Sequence, residues 1–258
     1  MLEAIGVPVE DVVSRSRLLP ADVAAREHEY ARNEFCWRCK PLAIRRAMEE
    51  AATDEWVVYL DSDMLVFGDI DQILERNAKS DVCLTPHRSS ADFMRYQASS
   101  GFYNAGFVAF RNNQRGIEAL DWWDKRCSER CSMVPTDNSY ADQKYLEYME
   151  EKFDFVNSVD DPGLNAAPWN IENYDIGKSD TGQIKLNEAD LFLYHFQGMH
   201  FISSRVCEAY TGDLKLSRHL RDSIYGPYLR EVASSYKHVR RSIPKYSGNF
   251  PRGVSLAK

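Results

Sequence analysis

The sequence has no apolar run near the roughly 18 residues that a membrane-spanning helix needs, and no signal-peptide pattern at its amino terminus. We therefore expect a cytoplasmic protein, or one held peripherally at a membrane. A basic excess is missing as well. Lys and Arg number 32 against 39 Asp and Glu, and the net charge of −7 argues against nucleic acid as a partner. Paired metal knuckles are scarce too. Cys36 and Cys39 form a lone C-x-x-C, while Cys127 and Cys131 sit at i, i+4 on a predicted helix. Those four could make a thiolate zinc site, but such sites seldom join a knuckle to a mid-helix pair. Buried, reduced thiols are the better reading. Upstream of residue 50 there is no strong strand followed by a Gly-rich turn. Only Ala4–Val13 resembles a short strand and turn.

What is present starts with composition. At 258 residues, 44% hydrophobic and 12% aromatic, the chain can build a large core. Charge is unevenly spread: from Lys237 onward there are six basic residues and no acidic one. Pro244, Gly248, Pro251 and Gly253 interrupt that stretch, which reads as a basic tail over 237–258, solvated or drawn to an anionic membrane surface. Residues 1–236 read as one domain.

Val57-Val58-Tyr59-Leu60 runs straight into Asp61-Ser62-Asp63 and then Met64-Leu65-Val66-Phe67. This describes a buried strand ending in an acidic turn. In open α/β sheets ligands gather outside the carboxyl ends of the strands. Two carboxylates one residue apart can grip a hard divalent cation there, which substrate phosphates usually complete. Around that strand the pattern predicts helices at Ala21–Glu34, Pro41–Ala52 (with Pro at its start), Asp69–Leu74, Ile117–Arg130 and Ala141–Lys152. Strands are predicted at Val82–Thr85, Tyr103–Arg111, Phe153–Val156 and Leu191–Phe196. Leu216, Leu220, Ile224 and Tyr228 recur every four residues and predict a last helix. Alternating strands and helices give an α/β sheet.

Four further segments fall at strand ends or loops and carry groups that read sugars and phosphates. Asn104-Ala105-Gly106 offers an amide beside small residues that allow close backbone approach. Asp142-Gln143 opens a helix. Asn165 to Asn170 is a polar loop with an indole, Trp169, suited to stacking. Tyr194-His195-Phe196-Gln197-Gly198 delivers an imidazole and then a glycine. Each alone has a plain structural reading, as a turn residue, a helix cap, or a core tryptophan or histidine.

Their order is more specific. D-x-D, N-A-G in a strand, D-Q opening a helix, a W-N loop and H-F-x-G, together with Asp69 after the D-x-D turn, resemble glycosyltransferase family 8 and its bacterial relatives. The resemblance spans roughly Glu34 to Gly198. It implies a GT-A fold, a Rossmann-like mixed and mostly parallel sheet flanked by helices, here lacking or shortened in its first βαβ unit. It also implies a metal-dependent hexosyltransferase using a UDP-sugar with retention, and a glycan, lipid or protein acceptor.

By that resemblance Asp61, Asp63 and His195 hold Mn²⁺ or Mg²⁺, and Asp61 also lies near the ribose. Asn104, Asp142 and Gln143 hold the donor sugar, with Gln143 and Asp142 on the reacting side. Ala105, Gly106, Asn165, Trp169 and Asn170 line the substrate, and Gly198 admits the diphosphate. Where the family shows a lysine and Pro-Trp after H-F-x-G, Met199-His200-Phe201 stands here. Arg205 or Lys40 would then supply the charge on phosphate. Two alternatives compete: a non-catalytic or truncated sugar-nucleotide binder, and a haloacid-dehalogenase-type phosphatase with Asp61 as nucleophile and Asp160-Asp161 as its later acidic pair.

Overall fold

A computed structural model describes residues 19–203, 206–210 and 214–243 of the chain. Its centre is a four-stranded mixed sheet in the order β1-β4-β3-β5, formed by β1 (Trp56–Leu60), β3 (Val82–Pro86), β4 (Tyr103–Arg111) and β5 (Val156–Ser158). Pairs β1/β4 and β3/β4 are antiparallel and β3/β5 is parallel. The fold is thus mixed α/β, but the expected mostly parallel sheet is corrected. Strand direction follows from the connections, which the apolar pattern does not record. The expected strand at Ala4–Val13, Arg205 and residues 244–258 of the expected tail lie outside the described residues.

Each strand alternates between two cores. Val82 and Leu84 face one cluster with Ile44, Trp123 and Leu146, while Cys83 faces another with Ile73, Phe107 and Leu193. Strand β4 breaks this parity. Tyr103 and Ala105 share a face with Val108 and Phe110, and the register jumps from Leu84↔Val108 to Thr85↔Asn104. A bulge at 105–107 accounts for both, and it re-aims the Asn104 end of the strand.

The first core is covered by α2 (Arg32–Met48), α5 (Gln114–Glu129) and α6 (Tyr145–Lys152); α1 (Ala21–Ala25) precedes them. Helix α2 corrects the expected boundary at Pro41, which lies buried inside it. A mid-helix proline costs about 3 kcal/mol. Phe35, Ile44 and Met48 are buried along the helix, and that apolar burial offsets the cost. Helix α6 starts at Tyr145, so Asp142 and Gln143 stand in the turn before it.

The second core takes in α3 (Asp71–Arg76), whose first turn is capped by Asp69: its carboxylate accepts from the Asp71 N–H at 3.1 Å. β2 (Met64–Val66) pairs antiparallel with β9 (Leu193–His195). Helix α4 (Met94–Ser100) rides the surface between β3 and β4. A three-stranded antiparallel sheet, β6 (Ile176–Lys178), β7 (Ile184–Leu186) and β8 (Ala189–Asp190), and a hairpin of β10 (His200–Ser203) and β11 (Val206–Glu208) flank β9.

The chain then forms α7 (Arg218–Leu220), a π-turn over Arg221–Tyr225 and α8 (Gly226–Ser242). The wider turn brings both Ile224 and Tyr225 into a third core with Tyr194 and Phe196. Helix α8 also corrects the expected start of the tail: Lys237, Arg240 and Arg241 are helical. No described helix is long and apolar enough to cross a membrane.

Candidate metal centre and crevice

Strand β1 ends at Leu60, and the turn that follows lifts Asp61 and Asp63 off the sheet. The Asp61 N–H donates to the Gly106 carbonyl at 2.9 Å, tying the turn to the β4 bulge. Strand β2 starts immediately beyond, and its pairing sets Met64 opposite His195. The Phe196 N–H donates to the Asp63 carbonyl at 2.7 Å. This short ladder brings an imidazole from late in the chain to the acidic turn.

His195 Nε2 lies 3.1 Å from Asp63 Oδ1 and 3.9 Å from Asp61 Oδ2. Among the described residues, these three form the one group of three His, Cys, Asp or Glu whose ligand atoms all lie within 4.8 Å of one another. Ligand atoms about 2.1 Å from a cation sit between roughly 3 Å apart for adjacent positions and 4.2 Å for opposite ones. The two imidazole–carboxylate separations fall inside that range. Two carboxylates and an imidazole make a donor set that could hold one divalent cation. His195 is 3% exposed and braced by the edge of Trp169, 5.2 Å between ring centroids.

Charge at the site is arranged by Lys40. Its buried ammonium stands 3.1 Å from Asp61 Oδ1 and 3.2 Å from Asp142 Oδ2, and donates to the Ala105 carbonyl at 3.1 Å. Burial opposes that charge, but Asp142 and Asp61 hold the amine well above its ordinary value. Burial pushes Asp142 up, with Lys40 opposing it. Burial also works to raise Asp63, yet the hydrogen bond and charge of His195 outweigh it and leave the carboxyl low. Three carboxylates thus gather around one ammonium and one imidazole, which leaves the turn with a surplus of negative charge.

These groups open on a crevice of about 390 Å³, within the range of small-molecule sites. Lys40, Asp61, Asp63, Asn104, Asp142, Gln143, Trp169 and His195 all line it, as the sequence leads us to expect. Asn104 Oδ1 accepts from the Gly106 N–H at 2.9 Å and from Asn165 Nδ2 at 3.0 Å, so its Nδ2 faces Gln143 Oε1 at 3.5 Å. Gln143 Nε2 donates to the Ser100 carbonyl at 2.8 Å. Gly106 is where β4 passes under the site. A Cβ there would meet Met64 Cε at 2.5 Å and both Asn104 Oδ1 and His195 Nδ1 at 2.7 Å.

Asn165 and Asn170 do not reach the crevice. Both are 0% exposed and are spent on internal bonds, Asn165 to Thr85 and Asn104, Asn170 to the Ala167 N–H and the His87 carbonyl. They are scaffold for Trp169 and Asn104. Gly198 has φ +77, a left-handed turn that follows the crevice-lining Gln197. Asp160 and Asp161 pair with Arg88 and Arg76 instead of lining the crevice, which leaves a phosphatase without its acidic pair. Among the described residues the four cysteines do not gather into a metal-ligand group, and they differ in burial: Cys127 and Cys131 are buried, Cys39 is half-buried and Cys36 is exposed.

Sequence reasoning missed much of the opposite wall: His87, Ser89, Phe93, Tyr96 and Tyr210. Tyr59, whose hydroxyl donates to Asp61 Oδ1 at 2.9 Å, was also unremarked. The polar run His87-Arg88-Ser89-Ser90 directly after β3 was the available signal, because β3 ends at the same sheet edge as the acidic turn.

No protein-family model matches the chain. Two Bacillus subtilis (strain 168) proteins are similar to it. The uncharacterized protein YfnD is 31% identical over 223 residues, 84% of this chain and 70% of its own length. The uncharacterized protein YfnF is 28% identical over 227 residues, 84% of this chain and 72% of its own.

Proposed function

The chain belongs to the same family as Bacillus subtilis YfnD, and for this member we propose a metal-dependent glycosyltransferase of GT-A type. It would move a hexose from a UDP-sugar to an acceptor hydroxyl with retention. The observation that carries this reading is the Asp61, Asp63 and His195 cluster at the mouth of a crevice lined by amides and carboxylates. A divalent cation held by Asp61, Asp63 and His195 would neutralise charge on the leaving nucleotide.

The chain's own residues supply the rest. Lys40 adds a fixed positive charge beside the diphosphate and keeps Asp61 oriented. Asn104 and Gln143, each locked by internal hydrogen bonds, present amides that orient sugar hydroxyls without reorganising. Trp169 and His87 close the floor and exclude water, their rings 5.5 Å apart. Asp142 is engaged by Lys40, and an amide such as Gln143 is a poor nucleophile, so the acceptor oxygen would attack the anomeric carbon from the leaving-group face as the bond to the UDP oxygen breaks, its proton passing to the departing phosphate.

Incubation with UDP-glucose, UDP-galactose and UDP-N-acetylglucosamine tests this directly. We expect Mn²⁺-dependent release of UDP that EDTA and Asp63→Asn abolish. Equal release with and without metal, or none with any donor, would overturn the reading.

A further inference from the structure

The crevice has an aromatic rim that neither the metal cluster nor the donor-orienting amides use. Phe93 and Tyr96, at the start of α4, meet Tyr210, which follows β11. The Phe93 ring lies 6.2 Å from that of Tyr96 and 5.9 Å from that of Tyr210. All three line the crevice. Burial and the nearby Tyr96 hold the Tyr210 phenol above its ordinary value.

These rings are not core. Helix α4 buries no residue, and Tyr96 is 50% exposed. Phe93 and Tyr210 are half-buried and Tyr96 is exposed, so together the three rings leave aromatic surface open toward the crevice. We infer that Phe93, Tyr96 and Tyr210 form the acceptor subsite, and that the acceptor is a carbohydrate whose pyranose ring stacks on them.

The chemistry favours a sugar over a lipid tail. A pyranose has a C–H face that packs on aromatic rings and a rim of hydroxyls that must be hydrogen-bonded. The platform matches both: three rings with two phenol hydroxyls, in a crevice that Ser89, Ser99 and Gln197 also line and in which Ala141 is the one aliphatic side chain among the described residues. Arg95 stands 4.9 Å over the Tyr96 ring and braces it. The platform is also held in register with the donor side, because the last residue of α4, Ser100, accepts the Gln143 amide. A sugar seated on the rings would present a hydroxyl toward Gln143. The word acceptor rests on the transferase reading, whereas the carbohydrate site rests on the rings.

Saturation-transfer NMR on the intact chain separates the two. The probes are methyl β-glucoside, methyl β-galactoside, a tyrosine-containing tripeptide and a short-chain phosphatidylcholine, with Mn²⁺ plus UDP followed in parallel by thermal shift. We expect at least one pyranoside to bind, roughly tenfold more weakly in Tyr96→Ala and in Tyr210→Ala. Tyr96→Phe should keep most of that binding, and all variants should keep the stabilisation by Mn²⁺ and UDP. Absence of pyranoside binding, indifference to both alanine variants, or preferential saturation of the peptide or lipid overturns the inference while leaving the donor reading intact. Tyr96-dependent pyranoside binding with no effect of Mn²⁺ and UDP would support the sugar site and remove the transferase reading.

Discussion

Lys40 Nζ and Asp142 Oδ2 stand 3.2 Å apart, with side-chain exposures of 6% and 2%, as a buried ion pair behind the crevice. Breaking such a pair costs about 3–5 kcal/mol, because the remaining charge is stranded away from water. Lys40→Met should therefore destabilise the protein by about 3 kcal/mol in urea melts. Adding Asp142→Asn should recover part of that loss, since the fully buried carboxylate is then neutral and only Asp61, which is a quarter exposed and partly solvated, still lacks its cation. Losses that simply add would show that the two groups are not coupled.

Gly106 sets a second expectation. A methyl group there intrudes on Met64, Asn104 and His195 at once. Met64 can swing aside, but Asn104 is pinned by two hydrogen bonds and His195 by Trp169. Gly106→Ala should cost about 1–3 kcal/mol by overpacking and shift the His195 ring resonances in NMR spectra. Unchanged melting and unchanged ring signals would contradict this geometry.

How much of this was legible in the sequence differs by element. Tyr103–Arg111 is the observed strand to the residue: Tyr103, Phe107, Val108 and Phe110 are β-favouring, and eight of the nine positions are buried. The Asp61 turn and His195 were legible as chemistry, and a two-stranded ladder joins them. Asn165 and Asn170 misled, because a buried scaffold asparagine and a ligand asparagine look alike in a polar loop. Phe93, Tyr96 and Tyr210 were invisible as a set, since residues from two distant segments converge only in space. The sheet's strand directions were equally hidden, because period-2 apolarity is the same for either direction.

His87 links the site to pH. Burial pushes its imidazole down to about 4, while the unfolded side chain titrates near 6.5. Between those values the unfolded chain binds the extra proton, so stability is full above about pH 6.5 and falls as pH drops toward 4. The contribution is on the order of 3 kcal/mol. His87→Gln keeps a donor for the Phe102 carbonyl, which His87 Nδ1 approaches at 3.2 Å, and removes the titration. We expect melting temperature to fall less steeply from pH 6.5 to 4 in this variant. An identical acid limb would contradict the assignment.

The most direct measurement of the metal centre is a Mn²⁺ titration followed by electron paramagnetic resonance, with UDP present, on wild-type protein, Asp63→Asn and His195→Ala. The candidate ligand atoms of these three residues lie within 4.8 Å of one another, so we expect wild-type protein to bind one ion per chain. Each variant should lose most of that affinity at little cost in melting temperature for Asp63→Asn. Binding unaffected by His195→Ala, or no bound Mn²⁺ in wild-type protein, would contradict a metal site built from Asp61, Asp63 and His195.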